Sequence, residues 1–205
     1  ILGSEGAVLA HSVALEKGRL RKGRVLTAED LGTLRDAGHA EVIAARLEPG
    51  DLGEDAAAAR LAQALVPDPA RAGLTIGKAA TGRVNLHSEA PGVVEVLAGR
   101  IHALNALHPM ITVATVPPWQ RVAAGGMVAT VTIISYAVPE AALEAACLAG
   151  QGAMRLRPVV HRSAQLIQTS VDGAESGDKG QKVTQERLDR LGVAIGPQQV
   201  VSHRV

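Results

Sequence analysis

The stretch GRLRKGRVLTAEDLGTLRDAGHAEVI, residues 18–43, decides how the first part of the chain folds. Thr27 has the residue type of a helix N-cap, and Asp30 follows at the spacing of a capping-box partner. Leu26 and Leu31 flank this pair at the spacing of a hydrophobic staple. These local signals agree, so they predict a helix that begins after Thr27.

The same stretch also predicts where the helix ends and which face it buries. Gly38 falls where a helix commonly stops in the left-handed conformation, which glycine adopts without a Cβ penalty. Leu31, Leu34 and Ala37 share one face at helical spacing. Most of the charged residues lie off that face. We therefore expect an amphipathic helix between two short strands.

Composition limits the core and the partners of this protein. The 205 residues include one Trp, one Tyr and no Phe, so small aliphatic side chains must fill the core by close packing. Few rings are left for stacking on bases, and the net charge of +1 is weak for a nucleic-acid binder. No apolar run reaches the length of a membrane span, and no leader is evident. We expect a cytoplasmic protein without nucleic-acid or membrane partners.

Motifs for metal or nucleophilic chemistry are missing from the sequence. The seven histidines are scattered, and none pairs with another ligand at metal-binding spacing, so no metal site is expected. Cys147 lies in an alanine-rich segment, where a free cysteine is usually a small buried hydrophobe. The sequence leaves the catalytic residues unknown and leaves open whether the protein is an enzyme.

Patterning along the rest of the chain predicts an α+β protein with mixed sheets and short helices. Helices are expected over 54–66 (capped by Asp51), 98–107 and 139–148, and strands over 113–116, 128–131 and 163–171. A last helix with Thr184 as its N-cap and a strand near 199–203 would complete a β-loop-α-β unit, with which an α/β domain begins. The predicted domains are 1–160 and 161–205, and the second lacks its remainder.

Two stretches are candidates for anion binding. In the basic turn, Arg21 and Lys22 stand among further basic residues between two glycines, which lets backbone N–H groups approach a phosphate. The alternative there is a solvated, charged turn. The second stretch follows a strand and precedes a helix. It comprises Thr169, Ser170, Ser176, Asp178 and Lys179. A surface turn without a ligand is the alternative for this loop.

Three segments in order carry a family resemblance. They span residues 9–42, 81–119 and 127–146, and include LAHSV, TGRVNLHSEAPGVVEV and MVATVTIISYAVPEAALEAA. Together they resemble the amino-terminal region of molybdopterin-binding proteins of molybdenum cofactor biosynthesis. The string KGRVLTAEDLGTLRDAG, residues 22–38, is also similar to part of the molybdopterin molybdenumtransferases. The resemblance covers roughly residues 5–205, and the part from Ala164 looks like the start of the molybdopterin-binding domain.

The resemblance implies a function and a ligand. The protein would bind molybdopterin or the molybdenum cofactor, with Mg²⁺ as a possible companion ion, and would contact other enzymes of the pathway as a homo-oligomer. Strand ends and their loops would hold the pterin phosphate. Since the family's glycine- and aspartate-rich loops have no counterpart before Val205, this chain is expected to be a fragment that lacks most of the pterin site.

Two other functions remain open at this point. The first is a non-catalytic module for oligomerisation or for docking to a partner enzyme, which the small-residue helices 54–66 and 139–149 favour. The second is phosphate-dependent nucleotide binding at the basic turn of Arg21 and Lys22.

Overall fold

The computed structural model describes residues 3–171 and 178–203. It contains six helices among these residues, and its strands form several small sheets, which confirms the α+β class. We group the elements into an N-terminal unit (8–45), a middle unit (51–158) and a C-terminal unit (163–202). The elements of the N-terminal unit are β1 (Val8–Leu9), β2 (Val13–Ala14), β3 (Arg19–Leu20), α1 (Ala28–Asp36) and β4 (Ala44–Ala45).

Helix α1 begins as its sequence predicts. The hydroxyl of Thr27 accepts a hydrogen bond from the Asp30 N–H at 3.2 Å, and the Asp30 carboxylate accepts one from the Thr27 N–H at 3.1 Å. Arg24 donates to the same carboxylate at 2.8 Å. The Arg24 guanidinium lowers the pKa of Asp30, although burial of the carboxyl acts in the opposite direction. The capping box is therefore confirmed, and Arg24 joins it to the preceding turn.

The N-terminal unit has its own small apolar core. Strands β1 and β4 pair antiparallel, and so do β2 and β3, so the chain returns to its start before the middle unit begins. Leu34 of α1 packs with Leu9 of β1, Leu20 of β3 and Leu26, which precedes the helix. Sequence positions that are far apart are thus held by one cluster of side chains.

The middle unit holds the main core. Its elements are β5 (Asp51–Gly53), α2 (Glu54–Leu65), α3 (Pro69–Ala72), β6 (Leu74–Ile76), β7 (Arg83–Ser88), β8 (Gly92–Val96), α4 (Ala98–Asn105), β9 (Ile111–Thr115), β10 (Arg121–Val122), β11 (Met127–Ile133), β12 (Ala137–Pro139), α5 (Glu140–Gly150) and β13 (Met154–Pro158). Two antiparallel sheets, in the orders β6-β7-β11-β9 and β10-β8-β13, lie beside a two-stranded pair of β5 and β12.

Small residues allow the helices of this unit to pack closely. Ala57, Ala58 and Ala62 of α2 are fully buried in the main core. At Gly150, the last residue of α5, an added Cβ would lie 2.5 Å from Leu104 Cδ1 of α4. The expected close packing of a core without large rings is confirmed at these contacts.

The C-terminal unit is a parallel β-α-β arrangement. It consists of β14 (Ser163–Ala164), β15 (Ile167–Ser170), α6 (Lys179–Asp189), β16 (Ala194–Ile195) and β17 (Gln199–Ser202). Strand β14 pairs parallel with β16, and β15 pairs parallel with β17. The β-loop-α-β order is confirmed, while the predicted domain boundary near residue 160 stays a prediction.

Two helix starts differ from the sequence-based expectation. Thr184 was expected to cap the last helix, but α6 begins at Lys179, and the Thr184 hydroxyl donates to the Gly180 carbonyl at 2.8 Å within the helix. A threonine hydroxyl can cap a helix N-terminus, but inside a helix it can also donate to the carbonyl four residues earlier. A threonine by itself therefore does not mark where a helix begins. Asp51 does not cap α2 either. It lies in β5 and accepts a hydrogen bond from the Glu48 N–H at 3.0 Å.

Candidate functional site

The candidate site lies where β15 and β17 end. Because the two strands are parallel, their carboxyl ends meet at one edge, and Thr169 and Ser170 pair there with Val201 and Ser202. The His203 N–H donates to the Ser170 carbonyl at 2.9 Å. Its Nδ1 lies 3.2 Å from the Thr169 hydroxyl oxygen. We call this group of Thr169, Ser170 and His203 the carboxyl edge.

Helix α6 starts close to the carboxyl edge. At Gly180, in its first turn, an added Cβ would lie 2.5 Å from Gln168 Nε2 of β15, so the first turn of the helix lies against this side chain. The first N–H groups of a helix have no intrahelical acceptor and carry partial positive charge. Asp178 is the N-cap residue, but its side chain makes no capping hydrogen bond. Asp178 and Lys179 are exposed at the start of this helix.

The structure brings together only part of the predicted loop site. Thr169, Ser170, Asp178 and Lys179 belong to the two elements that meet at the carboxyl edge, whereas Ser176 lies outside the described residues. Sequence reasoning missed His203. The signal was available, because a parallel β-α-β pattern places the residues that follow both strands at the same edge.

Arg21 and Lys22 stand in a different place. Among the described residues, no hydrogen bond or ion pair joins either side chain to the carboxyl edge. The Lys22 N–H donates to the Ser12 hydroxyl at 3.0 Å, and its Nζ lies 5.2 Å from the centroid of the Tyr136 ring. The basic turn therefore contacts the middle unit, and it supplies no residue to the edge.

One acidic residue of the middle unit, Glu54, lies beside the basic turn. Burial raises the pKa of Glu54, the first residue of α2, while the nearby charge of Lys22 acts in the opposite direction. Asp55 accepts a hydrogen bond from the Gly82 N–H at 2.7 Å. The Glu54 N–H donates to the Tyr136 carbonyl at 2.9 Å. The two hydrogen bonds hold the start of α2 within the middle unit, and the Glu54 carboxyl lies close enough to Lys22 for their charges to interact.

Other candidate chemistries gain no support from the described residues. Cys147 is half-buried, and burial raises the pKa of its thiol, so the nucleophilic thiolate is disfavoured. Within residues 3–171 and 178–203, no three His, Cys, Asp or Glu side chains are placed to share a metal ion. In the same part of the chain, no helix combines the length and apolarity needed to cross a bilayer.

Comparison with known protein families gives a match at the N-terminal unit. A family model described as "Domain of unknown function (DUF8806)" matches residues 3–46. That range encloses β1 to β4 and the leucine cluster of the N-terminal unit. Neither the curated proteins nor the solved structures give a match to this chain. The similarity therefore covers the N-terminal unit, and it carries no activity with it.

Proposed function

We propose that this protein binds molybdopterin or the molybdenum cofactor and acts in its biosynthesis in the cytoplasm. The observation that carries the proposal is the carboxyl edge, where Thr169, Ser170 and His203 meet beside the start of α6. In parallel sheets, ligands commonly bind outside the carboxyl ends of the strands. The sequence resemblance supplies the identity of the ligand, and whether a transfer reaction follows binding is left open.

The groups at the edge suit a phosphate-bearing pterin. The Thr169 hydroxyl and the His203 ring can donate to phosphate oxygens, and the Lys179 ammonium can neutralise part of the charge. The N–H groups of the first turn of α6 would add partial positive charge for the same phosphate. These residues would hold and orient the phosphate. Mg²⁺ would accompany the phosphate as part of the ligand and not as a resident metal.

Titration with molybdopterin tests this proposal. We expect saturable binding to this chain, and about tenfold weaker binding or more after Lys179→Gln, since a charge-assisted hydrogen bond contributes about 1.5–3 kcal/mol. The matched control is Lys78→Gln, an exposed lysine of the middle unit, which should leave affinity unchanged. Failure of this chain to bind molybdopterin would refute the proposal.

A non-catalytic oligomerisation or docking module is the second candidate. The observation in its favour is the exposure of apolar side chains in the C-terminal unit, where Ile167, Val200 and Val201 are 59%, 50% and 45% exposed. Buried parallel strands are normally covered on both faces. Light scattering with size-exclusion chromatography tests it, and a strict monomer that binds no pathway enzyme would count against it.

A further inference from the structure

A cleft between the middle and C-terminal units is lined by arginines. Two cavities of about 310 and 230 Å³ share Arg121 of β10 and Leu191 in their linings. Arg190, which follows α6, lines the first cavity, and Arg157 of β13 lines the second. Three arginines from separate parts of the chain therefore line one cleft.

One of the three arginines, Arg157, is already paired with an acidic residue. Glu95 of β8 accepts hydrogen bonds from Arg155 Nε at 2.6 Å and from Arg157 Nε at 2.5 Å. By contrast, the side chains of Arg121 and Arg190 have no hydrogen bond or ion pair with any described residue. Two arginines without a partner among the described residues therefore line the same cavity.

We propose that this cleft binds a small phosphorylated molecule, whose phosphate is held between Arg121 and Arg190. A guanidinium presents its donors in a planar fork that matches two phosphate oxygens, so one fork from each wall can hold one phosphate group. Val122, Val159 and Leu191 add apolar surface for the rest of the molecule. Together the two cavities have a volume in the range of small-ligand pockets.

This site is separate from the carboxyl edge. Arg190 is the C-cap residue of α6, whereas the carboxyl edge lies beside the helix's first turn at Lys179. The cleft therefore stands at the opposite end of the helix from the proposed pterin site. The inference does not depend on the proposed function, and substitutions at one site leave the other intact.

The position of Arg190 also has a structural explanation that needs no ligand. A cation at a helix C-terminus interacts favourably with the partial negative charge of the last carbonyl groups. Such an interaction would explain Arg190 by itself, but it gives no role to Arg121, which lies on a strand of the middle unit. If one ligand spans the cleft, substitution of either arginine should lower the affinity for that ligand.

Calorimetric titration of the full chain with pyrophosphate tests the inference. We expect saturable binding, and about tenfold weaker affinity after Arg121→Gln and after Arg190→Gln separately. The double variant should lose little more than either single variant, because both guanidinium groups hold one phosphate. The matched control is Arg35→Gln on α1, an exposed arginine in the N-terminal unit, which should bind as the unsubstituted chain does.

Several outcomes would overturn the inference. One is the absence of saturable binding at millimolar pyrophosphate. Another is an equal loss of affinity in the Arg35→Gln control, which would indicate general charge attraction. A loss confined to one of the two cleft variants would also refute a phosphate held from both walls. Thermal unfolding of each variant, compared with the unsubstituted chain, confirms that a loss of binding is not a loss of folding.

Discussion

The hydroxyl of Tyr136 donates a hydrogen bond to the carbonyl of Ala10 at 2.7 Å. Ala10 is buried in the N-terminal unit, and Tyr136 follows β11 in the middle unit. The same tyrosine ring lies under the ammonium of Lys22, and its carbonyl accepts the Glu54 N–H. One aromatic residue therefore contacts the family-matched segment through its hydroxyl and its ring, and the start of α2 through its backbone.

Removing this hydroxyl should weaken the junction between the two units. Tyr136→Phe keeps the ring beside Lys22 but leaves the Ala10 carbonyl without its donor, and an unsatisfied buried acceptor costs about 1–3 kcal/mol. We expect the free energy of unfolding in urea to fall by that amount. Ser163→Ala, on β14, removes an exposed hydroxyl without a partner among the described residues and serves as the control. An unchanged unfolding midpoint in the Phe variant would contradict the prediction.

The Glu95 carboxyl should titrate far below an ordinary glutamate. Hydrogen bonds from Arg155, and then from Arg157, lower its pKa to about 2, although burial raises it. Because the folded pKa lies below the unfolded value, the stability it contributes is present above about pH 4.3 and is lost as pH falls through the folded value near 2. Carboxyl-carbon NMR titration measures this pKa directly.

The two arginines should contribute unequally to this effect. Arg155 bonds both Glu95 oxygens, at 2.6 and 3.0 Å, whereas Arg157 bonds one of them. We therefore expect Arg155→Gln to raise the pKa of Glu95 more than Arg157→Gln does. Arg35→Gln, on α1, is the control and should leave the titration curve in place. The reverse order of the two variants would contradict the observed geometry.

Features that depend on residues close together in the sequence, such as the start of α1, could be predicted from the sequence. Thr27 and Asp30 lie three residues apart, so their capping box could be recognised without any tertiary information. The prediction that Thr184 caps the last helix was wrong, because a hydroxyl that suits an N-cap can also donate to a carbonyl inside a helix. For the candidate site, the end of β15 was predicted from its loop, whereas His203 required the parallel register of β17.

Long-range pairing accounts for what the sequence did not predict. Strand β13 pairs with β8, and nothing in either segment alone specifies that partner. The arginine cleft likewise depends on how β10 and the end of α6 approach each other. Packing that joins distant parts of a chain is set by the whole core, so patterns within short windows contain little information about it.

The turn before β7 should tolerate no side chain at Gly82. Its φ is +71°, and an added Cβ would lie 2.5 Å from the Ile133 carbonyl oxygen, a backbone atom. The Ile133 N–H donates to the Gly82 carbonyl at 2.7 Å, so the two backbones cannot separate without losing that bond. We expect Gly82→Ala to lower the free energy of unfolding by about 3 kcal/mol or more, from left-handed strain and overpacking together.

A second glycine separates the two contributions. Gly18, in the turn between β2 and β3, has a φ of +90°, but no atom lies within 4 Å of a Cβ added there. Gly18→Ala should therefore cost only the conformational part, about 1–2 kcal/mol. Urea unfolding of both variants measures the difference. Equal costs at the two positions would show that the close approach to Ile133 relaxes freely.

Asn105 should protect the outer edge of the four-stranded sheet. It is the last residue of α4, and its side-chain amide donates to the Val113 carbonyl at 3.0 Å and accepts from the Val113 N–H at 2.8 Å. Strand β9 is the last strand of its sheet, so these two bonds take the place of a further strand. Asn105→Ala should lower the free energy of unfolding by about 1–3 kcal/mol and increase self-association, since it frees both backbone groups.

An Asn105→Asp variant tests whether both hydrogen bonds matter. A carboxylate can accept from the Val113 N–H but cannot donate to its carbonyl, so the variant should be less stable at pH 7. Protonation of the new carboxyl restores a donor, and the deficit relative to Asn105 should shrink as pH falls through its pKa. Urea unfolding at several pH values and sedimentation velocity at matched concentrations measure these effects. Gln120→Ala, which removes an exposed amide without a side-chain partner among the described residues, is the control. If Asn105→Ala stays as stable and as monomeric as this control, the amide does not protect the strand edge.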